Sequence, residues 1–180
     1  MFRYLGDITD LSHYIIKNFA LDKNIAVDET LGNGGDCDFL SENFKKVYAF
    51  DIQVEAIEQY KKRNKDNVRL ICDSHENIEK YIKEEIDVAI YNLGFLPGGD
   101  KSITTQGEST LKSIQGTLKI LKSGGFAIIT VYIGHNEGFC ESEEVLKYVS
   151  YLPKDKFGVM LHKVINRSDK APYLLVIEKK

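Results

Sequence analysis

Two carboxylates stand where apolar runs end, about twenty residues apart, and both are placed to meet a ligand. Ile25-Ala26-Val27 leads into Asp28, then into a turn containing Gly32, Asn33, Gly34 and Gly35, then into an amphipathic segment from Cys37 to Phe44. This is the pattern of a strand, a tight loop and a helix N-terminus. In such a loop glycines let the backbone approach a ligand, and N–H groups without helical partners face it. A second run, Val47-Tyr48-Ala49-Phe50, ends on Asp51, and an acid at the tip of the second strand can accept hydrogen bonds from a ribose diol. The two together point to a nucleotide-type cofactor. The dinucleotide pattern would require Gly or Ala three residues after the second glycine, and counting from Gly32 and Gly34 that position is Cys37. Cys37 weakens the dinucleotide reading, and the P-loop pattern fails because no Gly-Lys-Ser/Thr follows the loop.

Carboxylates at strand tips need a frame, and the remaining periodicity supplies one. Leu11, Tyr14, Ile15 and Phe19 fall at helical spacing over residues 9–20, with Thr9 or Asp10 as N-cap. Helices are expected over 36–43, 53–63, 77–83, 105–122 and 142–151, the one over 105–122 stopped by Ser123-Gly124-Gly125. Strands are expected at the two runs above and over 68–72, 86–91, 126–132, 158–165 and 173–178. Alternating strands and helices predict a doubly wound α/β fold, and two consecutive strands at the end predict an antiparallel hairpin. With no repeat, linker or low-complexity segment, 180 residues make one domain.

In open α/β sheets ligands sit outside the carboxyl ends of the strands. The first tip offers Asp28, the glycine loop and Asp36, whose alternative role is helix capping. The second offers Asp51 and Gln53, and the third Asp73, Ser74 and His75. The fourth reads Tyr91-Asn92-Leu93-Gly94-Phe95-Leu96-Pro97-Gly98-Gly99-Asp100-Lys101, and the fifth Tyr132-Ile133-Gly134-His135. The fifth loop is polar and aromatic enough to line a substrate pocket, with His135 as a base or hydrogen-bond donor.

Composition narrows the partners. Hydrophobic residues make up 43% of the chain and charged residues 28%, with a net charge of −3; these are ordinary values for a globular protein, and no global basic field announces nucleic acid. A local patch is still open, since residues 154–180 carry more Lys and Arg than acids. Cys37, Cys72 and Cys140 are scattered and odd in number, which favours free thiols in a reducing compartment over disulfides or a metal site. The longest apolar run, 126–133, is far too short to cross a bilayer, and no signal segment opens the chain. The expectation is a cytoplasmic protein with neither membrane nor metal.

The motifs carry resemblances. Asp28-x-Thr30-x-Gly32-x-Gly34 resembles the first motif of class I S-adenosylmethionine (SAM) methyltransferases, with Thr30 where many members have Gly. Asn92-Leu93-Gly94-Phe95 resembles the Asn-Pro-Pro-aromatic loop of methyltransferases acting on amino nitrogens, with Leu93 and Gly94 replacing the prolines. Together with Asp51-Ile52-Gln53 and Tyr132-x-Gly134-His135, these motifs identify the chain as a member of the YtqB-like rRNA methylase family, which is now associated with tRNA. Cys37 departs from the Thr usual there.

The resemblance implies a Rossmann-like class I methyltransferase fold with a mainly parallel seven-stranded sheet and a C-terminal antiparallel hairpin. It implies SAM-dependent conversion of the 5-aminomethyl group of a modified (2-thio)uridine at the tRNA wobble position to 5-methylaminomethyl. The implied cofactor residues are Asp28, Gly32, Asn33, Gly34, Asp36, Asp51, Gln53, Asp73, Ser74 and His75. The implied catalytic residues are Asn92 and His135, and the implied substrate contacts are Leu93, Gly94, Phe95, Asp100, Lys101 and Tyr132. The partner would be the anticodon arm of tRNA, gripped by Lys101 and the basic stretch around Arg167 and Lys170, and a homodimer would help so small a domain hold it. Two alternatives stand beside this reading. One is an rRNA methyltransferase acting on an exocyclic amine, since the first motif also resembles the rRNA cytidine N4-methyltransferases. The other is a SAM-binding module without chemistry.

Overall fold

The computed structural model describes residues 6–93, 107–133, 136–169 and 171–180, with 136–141 described by their backbone alone. Seven strands form one sheet in the order β3-β2-β1-β4-β5-β7-β6. The strands are β1 (Ile25–Asp28), β2 (Lys46–Asp51), β3 (Val68–Cys72), β4 (Ile86–Leu93), β5 (Leu121–Val131), β6 (Phe157–His162) and β7 (Tyr173–Lys179). The first five are parallel, and β7 is antiparallel to both β5 and β6. This is the predicted doubly wound sheet with an antiparallel end. Parallel strands covered by helices on both faces must be apolar along their whole length, and Ala26, Val27, Val88, Ala89, Ile128 and Ile129 are all fully buried.

The two faces carry separate cores. On one face Ala26, Ala49, Ile90 and Ile128 pack against α1 (Ile8–Phe19), α2 (Gly35–Asn43) and α3 (Val54–Lys61), through Ile16, Leu40 and Tyr60. On the other face Val27, Phe50, Tyr91 and Ile129 pack against the short α4 (Ile78–Tyr81), α5 (Gly107–Ile120) and α6 (Asn136–Ser150), through Ile78, Ile114 and Val145. Residue type alternates with the pleat, so neighbours on β4 serve opposite cores.

Several local expectations need correction. The cap of α1 is Asp7, whose carboxylate accepts from the Thr9 amide at 2.8 Å, because extended backbone at Asp7 places its oxygen over the first turn. Tyr14 and Phe19 do not face the core: they are 60% and 62% exposed, and Leu11, Ile15 and Ile16 make the contact instead. The helix before Ser123 stops at Ile120, and the glycines fall inside β5, where pairing with β4 begins at Leu121. The last helix begins at Asn136, before the expected start. The most consequential difference is that β4 runs to Leu93, so Asn92 lies in the strand, opposite Thr130.

Candidate active site

The chain crosses back between β3 and β4 and lays β4 beside β1, with Asp28 opposite Ile90. That reversal of strand order is where open sheets leave a crevice. Around it the loop after β1 is fixed from three directions. The Leu31 amide donates to the Phe50 carbonyl at 2.8 Å. The Gly32 amide donates to Oδ2 of Asp51 at 2.8 Å, while Oδ1 of Asp51 takes the Gln53 amide at 2.9 Å. Arg63, in the turn just after α3, donates to the Asn33 carbonyl at 2.6 Å and also pairs with Asp38. Gly34 adopts φ +78°, and a Cβ built there would stand 2.2 Å from Cδ2 of Tyr60. Only glycine allows that conformation and that close approach together.

Asp28 and Asp36 face one another's field. Asp28 is fully buried; its Oδ1 accepts from the Thr30 amide at 3.1 Å, and its Oδ2 is without a hydrogen-bond partner among the described residues. Burial, and then the nearby Asp36 carboxylate, push its carboxyl well above the ordinary carboxylate value. Asp36 is engaged on both oxygens: Nε2 of His13 lies 2.5 Å from Oδ1, and the Asn92 side-chain NH2 donates to Oδ2. The Asn92 backbone amide donates to the Thr30 hydroxyl at 2.8 Å. The sequence thus places Asp36 and Asn92 in one site by way of two separate motifs, and the structure joins them directly.

The third tip is built differently. Asp73 accepts from the Ser74 amide at 2.7 Å, from the Asn77 side chain at 3.0 Å and from the Tyr81 hydroxyl at 2.8 Å. The Tyr81 hydrogen bond leads the effects that hold its carboxyl below the ordinary value. Ser74 caps the 3-10 turn His75–Asn77. His75 is buried; its Nδ1 lies 3.1 Å from the Glu29 carbonyl, which can only accept, so Nδ1 carries the hydrogen and Nε2 is left as an acceptor. Burial lowers its pKa, which keeps the ring neutral.

Sequence reasoning missed three residues. Glu29 is buried beneath the crevice, held by the hydroxyls of Thr117 at 2.9 Å and Ser113 at 3.4 Å, and burial pushes its carboxyl from 4.5 to about 8. Arg63, in the turn after α3, and His13, on α1, hold the glycine loop and Asp36, yet nothing local in the sequence marks such roles. Leu93 corrects a reading in the other direction. It was expected to touch substrate, but at 1% exposure it belongs to the core with Tyr91 and Ile129, because the strand continues through it. Tyr132 follows β5, 40% exposed, at the same end of the sheet. Gly94, Phe95, Asp100, Lys101, His135 and Lys170 lie outside the described residues. Among the described residues no helix is long and apolar enough to cross a membrane, and no cluster of His, Cys, Asp or Glu is placed to hold a metal ion.

Sheet order, the glycine loop and the acid at the second tip define a Rossmann-like methyltransferase fold. The chain belongs to the family described as "Putative rRNA methylase", whose model matches residues 47–178. It is 36% identical to a protein of that description from Clostridium thermocellum, over 98% of this chain and 99% of the other, with a TM-score of 0.94. A methyltransferase from Streptococcus mutans, solved in complex with S-adenosylhomocysteine (SAH), is 39% identical over 98% and 99% of the two chains, with a TM-score of 0.90. A chloroplastic tRNA (mnm(5)s(2)U34)-methyltransferase of Arabidopsis thaliana is 31% identical, over 96% of this chain and 69% of that protein.

Proposed function

We propose that this chain uses SAM to methylate the exocyclic aminomethyl group of a wobble uridine in tRNA. The observation that supports this reading best is the side chain of Asn92. Its NH2 is held by a carboxylate, so its oxygen is the end left to accept from an amine at the crevice.

The residues present fit the cofactor. Oδ2 of Asp28 is a buried acceptor that a methionine ammonium would satisfy. Gly35, at the mouth of the loop, has nothing within 4 Å of its Cβ position. Asp51 stands at the second tip for a ribose, with Gln53 beside it, and Nε2 of His75 can accept from an adenine amine. Gly32, Asn33 and Gly34 supply backbone, and Asp73 and Ser74 shape the wall behind His75. When bound, SAM supplies a sulfonium methyl group that moves to nitrogen as the C–S bond breaks.

The chain's own task is to deliver a neutral amine in line with that methyl. The Asn92 carboxamide accepts one amine N–H and turns the lone pair inward, which is catalysis by orientation. It has no useful basicity, so the proton released afterwards goes to solvent or to His135. A free alkyl amine is mostly protonated at neutral pH, with a pKa of roughly 8–10 by analogy with α-amino and lysine groups. Apolar side chains such as Phe95 would favour its neutral form.

The turn between β6 and β7 lies at the same end of the sheet, because Tyr173 pairs with Val131 while Asn92 pairs with Thr130. Exposed Arg167 sits in that turn, and to it, with Lys170 and Lys101 from the sequence reading, we assign the contact with the anticodon arm. We assign Asp100, Gly94 and Tyr132 to the substrate as well. The chain acts as a single domain in our reading, in the cytoplasm, where Cys37 stays a free thiol.

The test is direct. Purified protein with SAM and tRNA bearing 5-aminomethyl-2-thiouridine should yield SAH and the 5-methylaminomethyl nucleoside, detected by mass spectrometry, while rRNA stays unmodified. Methylation of rRNA alone, or SAM binding with no turnover on either RNA, overturns the assignment.

A further inference from the structure

We propose that His13 is a positioning residue for methyl transfer, acting through Asp36 to fix which end of the Asn92 carboxamide meets the substrate amine. The proposal rests on the reading of Asn92 given above.

A carboxamide has two ends of nearly equal shape and opposite chemistry: the oxygen accepts and the NH2 donates. A site that orients an amine by accepting its N–H works only with the oxygen outward. Asp36 makes that choice, because an ionised carboxylate is acceptor-only and can hold only the NH2 end. Yet a carboxylate on one side chain can rotate and present either oxygen. His13 removes that freedom by placing Nε2 2.5 Å from Oδ1, which leaves Oδ2 for Asn92. Since the carboxylate cannot donate, Nε2 carries the hydrogen.

The histidine is itself held. Its ring stacks on Phe39 with centroids 3.8 Å apart and planes within 4° of parallel. Asp36 is 8% exposed, so water has little access to take the place of the imidazole. Three elements far apart in sequence meet here: α1 brings His13, α2 brings Asp36 and Phe39, and β4 brings Asn92. A staple between α1 and α2 alone would not need the carboxylate's second oxygen to reach into the crevice.

The test is a double-mutant cycle of His13→Phe with Asn92→Ala, measured with SAM and tRNA bearing 5-aminomethyl-2-thiouridine, with SAH affinity followed by calorimetry. Phe keeps the ring stack and removes the nitrogen. His13→Phe should lower kcat on the order of tenfold or more, because a misplacement of about 1 Å can cost about a hundredfold. SAH affinity should stay nearly unchanged. In the Asn92→Ala background the same substitution should cost nothing further, since a residue acting through another is non-additive with it. His13→Gln, which restores an N–H donor, should recover part of the rate. The side-chain NH2 resonance of Asn92, identified by its loss in Asn92→Ala, should shift in His13→Phe and return toward its original position in His13→Gln. Costs that multiply in the double variant, or a normal kcat in His13→Phe beside an impaired Asn92→Ala, overturn the proposal and spare the reading of Asn92. Normal turnover by Asn92→Ala sinks that reading, and this proposal with it.

Discussion

Glu29 accepts a hydrogen bond of 2.9 Å from the hydroxyl of Thr117, 88 residues further along the chain, so the tip of β1 is bolted to α5 through a buried carboxyl. The hydroxyl of Tyr91, 2.8 Å from Thr117, closes the cluster. Burial raises the Glu29 carboxyl from 4.5 to about 8, so the folded protein holds a proton there that the unfolded chain releases. Because the folded-state value is raised, the contribution of this group to stability falls as pH climbs from 4.5 toward 8 and levels off above that. The slope is at most about 1.4 kcal/mol per pH unit. Glu29→Gln keeps a polar group of the same shape without the charge. Its stability relative to the parent should therefore rise by a few kcal/mol, to order of magnitude, between acid and mildly alkaline pH. Urea unfolding at several pH values reads this difference, and parallel curves for the two proteins would contradict it.

Gly34→Ala should destabilise the protein by roughly 1–3 kcal/mol from backbone strain alone, because its φ of +78° lies in the left-handed region. The methyl would also meet Tyr60, and that ring cannot swing aside freely: its hydroxyl donates to Asp38 at 3.0 Å, and the Arg63 guanidinium lies 4.8 Å from its centroid. A second substitution, Tyr60→Leu, should relieve the clash but not the strain, so recovery of the melting temperature should be partial. Full recovery would show that φ is not what requires glycine.

Asp51→Ala should weaken SAM binding about tenfold or more, since hydrogen bonds to a charged group are worth about 1.5–3 kcal/mol. The variant loses the proposed ribose acceptor and also the anchor of the Gly32 amide. Calorimetry with SAM decides the matter, and an unchanged affinity would remove Asp51 from the cofactor site.

Affinity for tRNA should fall steeply with salt, because phosphate contacts release counterions. Replacing Arg167 and Lys170 together by Ala should flatten that dependence by on the order of one phosphate contact per residue. Filter binding from low to physiological salt tests it; an identical slope for the double variant would move the RNA to another face.

The central strands were legible because β1, β2, β4 and most of β5 are buried on both sides, which writes them as nearly unbroken apolar runs. The tips were legible because acids and glycines directly after such runs have few other uses. What the sequence concealed depends on long-range pairing. Asn92 looked like a loop residue because Asn and Gly read as turn formers, yet pairing with β5 carries the strand through Leu93. Nothing local marks His13, a polar position on a helix, or Glu29, an acid just after a strand. Their partners, Asp36 and Thr117, lie 23 and 88 residues away, beyond the reach of any local pattern.

The extension of β4 has a thermal consequence. Asn92 shares its ladder with Thr130 in the middle of the sheet, where opening requires the cooperative loss of both cores rather than the fraying of a loop. Working geometry and global order should therefore vanish at one temperature, and activity and circular dichroism should trace the same melting curve. While the sheet stands and His13 and Asp36 keep their pairing, a protein built this way should show no partly warmed state that is folded but idle.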